Sequence, residues 1–270
     1  MSYQVLANKY RPTRFEHLIG QKPTVDTLCY ALKNEALHHA YIFSGTRGIG
    51  KTSSARIFAM ALNCQHGDIE PCGQCESCQQ IKLGKDVDVI EIDAASRSKV
   101  DEIRDILEHM HYPPTKGKYK IYLIDEIHML STHSFNALLK TVESPPSFVK
   151  FLFATTDPQK IPKTVHSRCI EFKLKAFTPA EIAQRLDVIL TKESIEPCSD
   201  GTQLIAKTAQ GSMRDAITLL DQCIAHGQGT LTLKTVQNLL GYASDDLIDA
   251  MIDLLNGGQV NHLTELVAQI

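Results

Sequence analysis

The sequence predicts a doubly wound α/β domain with a parallel β-sheet, followed by a small all-helical domain. Strand-like and helix-like segments alternate over the first two-thirds of the chain, which is typical of a sheet covered by helices on both faces. No clear strand follows Pro179, where only helical periodicity continues. A glycine-rich loop separates the first predicted strand from the next helix, and folds of this class bind ligands at such strand ends.

Four short runs rich in β-branched and aromatic residues are the predicted strands, at residues 41–44, 87–92, 119–124 and 149–154. The third and fourth runs are almost continuously apolar, as expected of parallel strands buried on both faces. Helices are predicted at residues 51–62, 100–109 and 131–142. The sheet domain is therefore expected to occupy residues 1–178.

The helical domain is predicted to begin at a capping box. Thr178 suits the N-cap, Pro179 the first helical position and Glu181 the third, where a carboxylate can accept from the N-cap backbone. Three further helices are predicted at residues 200–209, 212–225 and 233–239. The helical domain is thus placed at residues 179–242, and residues 243–270 are expected to begin a further domain with two helices.

Composition limits the classes of function. Of the 270 residues 43% are apolar and the net charge is −3, so no overall basic field attracts nucleic acid. Contact with DNA would need a local basic patch. No apolar run approaches the roughly 20 residues that span a bilayer, and the N-terminus lacks a secretory signal, so we expect a cytoplasmic protein with no membrane partner. The eight cysteines are then expected to be thiols.

A phosphate-binding loop is predicted between the first strand and the helix that follows it. In the pattern Gly-x4-Gly-Lys-Thr the glycines let N–H groups face phosphate oxygens, the lysine reaches the β- and γ-phosphates, and the threonine binds magnesium. The candidate ATP-binding residues are Gly45, Thr46, Arg47, Gly48, Ile49, Gly50, Lys51, Thr52 and Ser53. The simpler alternative is a glycine-rich turn with a solvated lysine.

Two carboxylates at the end of the third predicted strand complete this site. Asp125 is expected to hold Mg²⁺ together with Thr52, and Glu126 to orient or deprotonate the attacking water. Without the phosphate loop, an Asp-Glu pair after a strand would indicate only a solvated turn. With the loop, the pair predicts an ATPase in which Lys51, Asp125 and Glu126 carry the chemistry.

Four cysteines lie close together in the sequence, at Cys64, Cys72, Cys75 and Cys78. Zinc takes four thiolates in a tetrahedron, and the two-residue spacings are typical of a zinc knuckle. An iron–sulfur cluster is the alternative, although the fourth cysteine and proline of a ferredoxin pattern do not follow. Four unligated thiols are the simplest alternative. The favoured interpretation is a closed, structural zinc module inserted at residues 64–78.

Three further motifs accompany the phosphate loop and the cysteine cluster: Ala154-Thr155-Thr156-Asp157-Pro158, Ser167-Arg168-Cys169 and Gly211-Ser212-Met213-Arg214-Asp215. With them, the chain resembles the gamma/tau subunits of the bacterial DNA polymerase III clamp loader, which are AAA+ ATPases. The resemblance runs from Val5 to about residue 242. It implies an AAA+ P-loop ATPase domain, a small helical lid, and the start of a C-terminal collar domain at residues 243–270.

The resemblance also implies roles in catalysis. Thr155 matches the residue that senses the γ-phosphate at the end of the fourth strand, with Thr156 as the alternative. Arg168 matches an arginine finger that reaches into the neighbouring subunit's site, and Arg214 matches a second sensor on the lid. A permanently charged guanidinium suits the charge that grows on the γ-phosphate. A surface or structural ion pair is the simpler reading of each arginine.

Other positions are implied to contact the nucleotide base or DNA. The adenine and ribose are expected against an N-terminal segment that contains Val5, Ala7, Arg11, Pro12, Ile19 and Gly20. The phosphate backbone of primed DNA is expected against Arg97, Lys99 and Arg104, where a helix is predicted to start. Solvated surface charge is an equally simple explanation for each of these basic residues.

The function implied by the resemblance is that of an ATP-hydrolysing clamp-loader subunit of the DNA polymerase III holoenzyme. ATP binding and hydrolysis would be coupled to opening the sliding clamp and loading it on primed DNA, in the bacterial cytoplasm. The implied cofactors are ATP, Mg²⁺ and structural Zn²⁺, and the implied partners are delta, delta-prime and further gamma/tau subunits, the clamp and DNA. A non-hydrolysing scaffold and a helicase motor are the alternatives.

Overall fold

The structure of the chain is a computed structural model, and it describes residues 5–67, 69–96, 109–242, 252–254 and 256. Within these residues the strands are β1 (Ala40–Ser44), β2 (Val89–Asp93), β3 (Lys120–Asp125), β4 (Val149–Thr155) and β5 (Ile170–Lys173). They form one sheet in the order β2-β3-β4-β1-β5, and every neighbouring pair is parallel. The predicted parallel α/β fold is confirmed.

The register of the sheet aligns the carboxyl ends of four strands. Ser44 of β1 pairs with Thr155 of β4, and Asp93 of β2 pairs with Asp125 of β3. From β1 the chain passes to β2 at one edge of the sheet, and it later returns to add β5 on the other side of β1. The direction of the strand order therefore reverses beside β1. Open α/β sheets bind ligands at such a switch point, outside the carboxyl ends of the strands.

The fifth strand is the one that the sequence analysis missed. Ile170–Lys173 is an edge strand of four residues, and Phe172 is its only buried member. Since one edge faces solvent and two of the four residues are charged, the run does not have the apolar character of β3 and β4. The four predicted strands are present, and their bounds differ from the predictions by one or two residues.

The sheet domain contains the helices α1 (Leu6–Lys9), α2 (Lys22–Lys33), α3 (Lys51–Leu62), α4 (Glu76–Lys82), α5 (Thr132–Glu143) and α6 (Lys163–His166). Short 3₁₀ turns lie at Phe15–His17, His109–His111, Ile127–Met129 and Pro158–Lys160. The predicted helix at 100–109 falls almost entirely outside the described residues. No helix in the described part of the chain is long and apolar enough to cross a membrane.

The four helices of the second domain are α7 (Pro179–Lys192), α8 (Ser199–Thr208), α9 (Met213–His226) and α10 (Leu233–Leu240). The predicted capping box is present: the Glu181 N–H donates to Thr178 Oγ1 over 3.3 Å, and the Thr178 N–H donates to Glu181 Oε2 over 2.8 Å. These bonds satisfy backbone donors that a helix N-terminus otherwise leaves free. The start of this domain is therefore fixed locally.

Both faces of the sheet are covered. Tyr41 and Phe43 of β1 pack with Phe58 of α3 on one face, whereas Ile42 of β1 packs with Leu138 of α5 on the other. Successive strand residues point to opposite faces, and all of these side chains are buried. The sheet therefore holds α3, and with it the loop before α3, in a fixed position.

The N-terminal arm, residues 5–14, packs against the helical domain. Leu6 of α1 is buried among α7, α8 and α9, and its N–H donates to Asp221 Oδ2 over 3.1 Å. Lys9 Nζ lies 2.6 Å from Glu193 Oε1, and the Tyr10 hydroxyl also donates to Glu193. Burial, with Glu193 as a smaller contribution, raises the pKa of Tyr10 to about 12. Residues 5–10 are thus attached to the second domain, and Leu6 lies in its core.

Asp88 fastens the loop before β3 to the start of β2. It is 2% exposed and accepts three backbone N–H bonds of 2.7 Å, from Thr115, Lys116 and Gly117. Burial alone would raise the pKa of Asp88, but these three donors outweigh it and hold the pKa below its ordinary value. The buried carboxylate is therefore stabilised in its charged form.

We expect Asp88→Asn to lower the free energy of unfolding by about 2–4 kcal/mol, since an amide accepts these bonds less well than a carboxylate. The folded-state pKa lies below the unfolded value of about 3.9, so the carboxylate's contribution is complete above that pH and is lost on acidification. Denaturant titrations of the wild type and Asp88→Asn at pH 7 and pH 3 give the free energy of unfolding of each protein. The difference in this free energy between the two proteins should be smaller at pH 3. An equal difference at both pH values would contradict the charge argument.

Candidate functional site

The loop between β1 and α3 has the backbone conformation of a phosphate-binding loop. Gly45, Gly48 and Gly50 have φ of 140°, 76° and 98°, which other residues rarely adopt. A Cβ on Gly45 would lie 2.5 Å from Ile49 Cδ1 and 2.8 Å from the Leu174 carbonyl oxygen. The loop ends at the N-terminus of α3, where free N–H groups and the helix dipole favour an anion.

Lys51 is held inside this loop. Its ammonium donates to the Thr46 carbonyl oxygen over 2.9 Å, and the residue is 5% exposed. Burial lowers the pKa of Lys51, while the nearby Glu126 and Asp125 carboxylates act in the opposite direction. A buried ammonium inside a phosphate-type loop is suited to an anionic ligand.

Thr52 and Asp125 place two oxygen ligands at one point. The Thr52 hydroxyl donates to Asp125 Oδ2 over 2.7 Å, joining the first turn of α3 to the end of β3. Mg²⁺ prefers hard oxygen ligands and is usually held by one or two protein groups plus phosphates and water. The donor set therefore fits Mg²⁺.

Glu126 is bonded to the residue that follows β4. Its backbone has a left-handed φ of 46°, and its Oε2 accepts from the Thr156 N–H and hydroxyl, each over 3.0 Å. His128 Nδ1 lies 3.3 Å from the same oxygen. Thr156 and His128 thus fix the orientation of the predicted catalytic carboxylate.

The two threonines at the end of β4 have different surroundings. Thr155 is fully buried, and its hydroxyl lies 3.0 Å from His128 Nδ1 and accepts from the Asp157 N–H. Thr156 instead lines the cleft above the strand ends. The structure therefore places Thr156, rather than the predicted Thr155, where a ligand can reach it, because successive residues point in opposite directions at the end of a strand.

These groups lie in a cleft of about 980 Å³ between the sheet domain, the N-terminal arm and the helical domain. The predicted residues that line it are Val5, Ala7, Arg11, Pro12, Ile19, Thr46, Arg47, Gly48, Ile49, Gly50, Lys51, Thr52, Ser53, Asp125, Glu126 and Arg214. The predicted residues outside its lining are Gly20, Gly45, Thr155 and Arg168. The volume and the mixed polar and apolar wall suit a nucleotide-sized ligand.

The sequence analysis missed several lining residues. Asp93 ends β2 beside Asp125, and a carboxylate at the end of a predicted strand is a signal that could have identified it. Arg185 of α7 has no such signal, because only packing brings α7 to the cleft. Burial lowers the pKa of Arg185, and burial followed by nearby Arg56 lowers that of Arg11.

The helical domain touches the phosphate loop directly. The Arg214 N–H donates to the Gly48 carbonyl oxygen over 3.3 Å, and a Cβ on Gly48 would lie 1.9 Å from Ser212 Oγ. The N-terminal arm makes a second contact, in which Arg11 Nε donates to Ser53 Oγ of α3 over 3.1 Å. The start of α9 and the N-terminal arm therefore both contact the nucleotide-binding loop and its helix.

Arg168 lies away from this cleft, where α6 meets β5. Its guanidinium donates to the Thr164 carbonyl oxygen over 2.7 Å and to Glu143 at the end of α5. The side chain is 34% exposed. Arg168 therefore does not serve the cleft of its own chain in this arrangement. The predicted DNA contacts Arg97, Lys99 and Arg104 lie outside the described residues.

The four clustered cysteines come together in space. The N–H groups of Gln74 and Cys75 donate to Cys72 Sγ over 3.4 and 3.3 Å, and the Cys78 N–H donates to Cys75 Sγ over 3.4 Å. The backbone donors of Cys75 and Gln74 lower the pKa of Cys72 to about 6, whereas burial raises that of Cys78. Thiolates stabilised by backbone N–H groups suit a soft divalent metal.

A histidine that the sequence analysis did not consider also lies in this cluster. The potential ligand atoms of Cys64, His66, Cys72 and Cys75 lie within 4.8 Å of one another. Cys72 Sγ lies 4.0 Å from Cys78 Sγ. The cluster can therefore hold a metal ion. His66, two residues after Cys64, was overlooked because the four-cysteine pattern already supplied four ligands.

Two family profiles match the chain. One, described as "DNA polymerase III, delta subunit", matches residues 20–178, and the other, "DNA polymerase III clamp loader subunit, ATPase lid domain", matches residues 181–229. Among solved structures, the RuvB Holliday junction branch migration motor of Thermotoga maritima has a TM-score of 0.64 at 18% identity, covering 96% of this chain and 85% of its own. That likeness concerns the fold alone.

Curated relatives are much more similar in sequence. The tau/gamma subunit of Haemophilus influenzae is 53% identical over 95% of this chain, and the tau subunit of Escherichia coli is 51% identical over 96%. The chain spans only 38% and 41% of their lengths. It spans 67% of the gamma subunit of Buchnera aphidicola from Acyrthosiphon pisum, which is 51% identical over 89% of this chain. The chain therefore belongs to the gamma/tau family of DNA polymerase III clamp-loader subunits.

Proposed function

We propose that this chain is the ATP-hydrolysing part of a DNA polymerase III clamp-loader subunit, which uses ATP to open the sliding clamp and load it on primed DNA. The observation that carries the proposal is that four groups meet at one edge of the sheet, in a cleft that the helical domain also lines: Lys51, Thr52, Asp125 and Glu126. A scaffold subunit without hydrolysis would not need this set. Family membership supplies the clamp and DNA as partners.

Different residues of the cleft are proposed to bind the phosphates, the magnesium ion, the attacking water and the base of ATP. The N–H groups of the loop and Lys51 bind the phosphates, and Thr52 with Asp125 would hold Mg²⁺, which offsets phosphate charge when bound. Glu126 takes a proton from the attacking water. The N-terminal arm, including Val5, supplies one wall for the adenine and ribose. Arg214 enters from the helical domain and adds positive charge near the phosphates.

For the residue that senses the γ-phosphate, Thr156 is a better candidate than Thr155. Its hydroxyl is at the cleft and bonds to Glu126, so a γ-phosphate there would compete for the same donor. Thr155 supports this arrangement from beneath, through His128 and the Asp157 N–H. Binding of ATP would thus be linked to the orientation of Glu126.

Arg168 is proposed to complete the site of a neighbouring subunit. Its position outside its own cleft and its partial exposure support this role. Hydrolysis would then require assembly, because a single subunit lacks the guanidinium that stabilises the transition state. Delta, delta-prime and further gamma/tau subunits are the proposed neighbours, and the bacterial cytoplasm is the proposed location.

The cysteine cluster is proposed to bind one structural Zn²⁺ through Cys64, Cys72, Cys75 and Cys78. The backbone N–H bonds to Cys72 and Cys75 support thiolate ligands. Four protein ligands leave no open position for chemistry on the metal. The role of the zinc would be to join the loop that follows α3 to the first turn of α4.

We expect Glu126→Gln to bind ATP normally but to reduce the ATPase rate by about 10²–10⁴-fold, the usual contribution of a positioned base. The measurement is ATP turnover by full-length protein with its partner subunits, clamp and primed DNA. Glu196→Gln, the same change at an exposed residue on the helical domain, should have no effect. Unchanged turnover in Glu126→Gln would remove Glu126 from the mechanism.

The same assay separates the two threonines. Thr156→Ala should lower turnover with little change in stability, and Thr156→Ser, which keeps the hydroxyl, should restore it. Thr155→Val keeps the shape of the buried side chain but leaves the Asp157 N–H without its acceptor, so its main effect should be on stability. Loss of turnover only in the Thr155 variant would favour the original prediction.

We expect Arg168→Ala to reduce the rate of ATP hydrolysis in the neighbouring subunit's site by about 10³–10⁵-fold, the usual effect of removing an arginine finger. Assemblies that mix wild-type subunits with Arg168→Ala subunits measure this, with site occupancy followed separately. Lys163→Ala, an exposed cation on the same short helix, is the control. If only the altered subunit's own site fails, Arg168 does not act on the neighbour.

Arg97, Lys99 and Arg104 are proposed to bind the DNA backbone. We expect Arg97→Glu with Lys99→Glu to weaken primed-DNA binding by the assembled complex and to reduce the slope of log K against log salt by about 2, since each phosphate contact contributes about 0.9. Lys192→Glu, on the exposed end of α7, is the control. An unchanged slope would exclude this patch as the DNA contact.

A further inference from the structure

The cysteine cluster contains more potential ligands than zinc needs. Four thiols gather there, and His66 Nδ1 lies 3.2 Å from Cys72 Sγ. Structural zinc takes four ligands in a tetrahedron, so one of the five side chains must lie outside the ligand set. The ligand atoms of Cys64, His66, Cys72 and Cys75 lie within 4.8 Å of one another, so distance alone admits His66, and burial and backbone contacts distinguish it from Cys78.

The fold holds Cys78 in a fixed position inside the cluster. Its side chain is fully buried, its N–H donates to Cys75 Sγ over 3.4 Å, and its Sγ lies 4.0 Å from Cys72 Sγ. It also lies in α4, so its position is fixed by a helix that packs on α3. Removing Cys78 from the ligand set would leave a buried thiol beside the metal with no role in binding it.

His66, in contrast to the buried and helical Cys78, is not held in position by burial or by a helix. It is exposed, and it lies in the loop that leaves Cys64 rather than in a helix. Its ring nitrogen approaches Cys72 Sγ at the distance of a hydrogen bond to sulfur, and the same sulfur already accepts from the Gln74 and Cys75 N–H groups. Cys72 Sγ therefore accepts from two backbone N–H groups, and the His66 ring is a third donor in the tautomer that carries its proton on Nδ1.

We propose that His66 is a positioning residue of the metal cluster, whose Nδ1–H donates to Cys72 Sγ from outside a ligand set of four cysteines. This role rests on the proposed zinc site. Four thiolates give a Zn²⁺ complex a net charge of −2, and each N–H···S bond withdraws part of that charge from its sulfur. The bond also holds the loop between Cys64 and Cys72 against the metal. The metal is thereby retained more firmly.

The test compares zinc release and cobalt spectra in the full chain. His66→Ala removes the donor, His66→Asn keeps a side-chain N–H near the position of Nδ1, and His226→Ala changes an exposed histidine at the end of α9. We expect each protein to bind one Zn²⁺ and, when loaded with Co²⁺, to show the absorption of four-thiolate coordination. His66→Ala should release zinc to a chelator about 10–100-fold faster, the usual cost of losing an outer hydrogen bond to a ligand. His66→Asn and His226→Ala should release it at close to the wild-type rate.

Three results would overturn the proposal in distinguishable ways. An unchanged release rate in His66→Ala would show that the hydrogen bond does not retain the metal. A cobalt spectrum that differs between wild type and His66→Ala, with no change in Cys78→Ser, would show that His66 is itself a ligand in place of Cys78. Failure of the wild-type chain to bind either metal would reject the zinc site itself, and the role of His66 with it.

Discussion

The parallel register of the sheet is the constraint on which the rest of the structure depends. Pairing β1 with β4 and β2 with β3 brings the last residues of four strands to one edge. Both faces of that sheet are packed against helices, so a shift of one residue in any strand would turn its side chains to the opposite face and disrupt the packing there. The positions of Asp125 and of the phosphate loop are therefore set by packing far from the ligand.

Much of this arrangement could be predicted from the sequence, because its causes are local. The long apolar strands β3 and β4, the capping box at Thr178 and the glycine pattern of the phosphate loop each depend on a few neighbouring residues. The pairing of Thr52 with Asp125 also followed, since carboxyl ends of parallel strands meet at one edge. These features need no knowledge of how the domains pack.

Features that depend on packing between distant segments could not be predicted. Edge strand β5 lacks an apolar pattern because one side of it faces solvent. The choice between Thr155 and Thr156, which the sequence left open, depends on which of the two side chains faces the cleft at the strand end. His66 enters the cysteine cluster through the path of a loop, and Arg185 reaches the cleft only through the packing of α7. None of these has a signal in the spacing of residues alone.

The path of the N-terminal arm has a mechanical consequence. Leu6 lies in the core of the helical domain, the backbone then crosses to the sheet domain, where Phe15 is buried, and it returns to the helical domain through residues 174–178. Two separate backbone segments thus connect the two domains. Any change in the width of the cleft therefore has to keep both of these backbone connections intact.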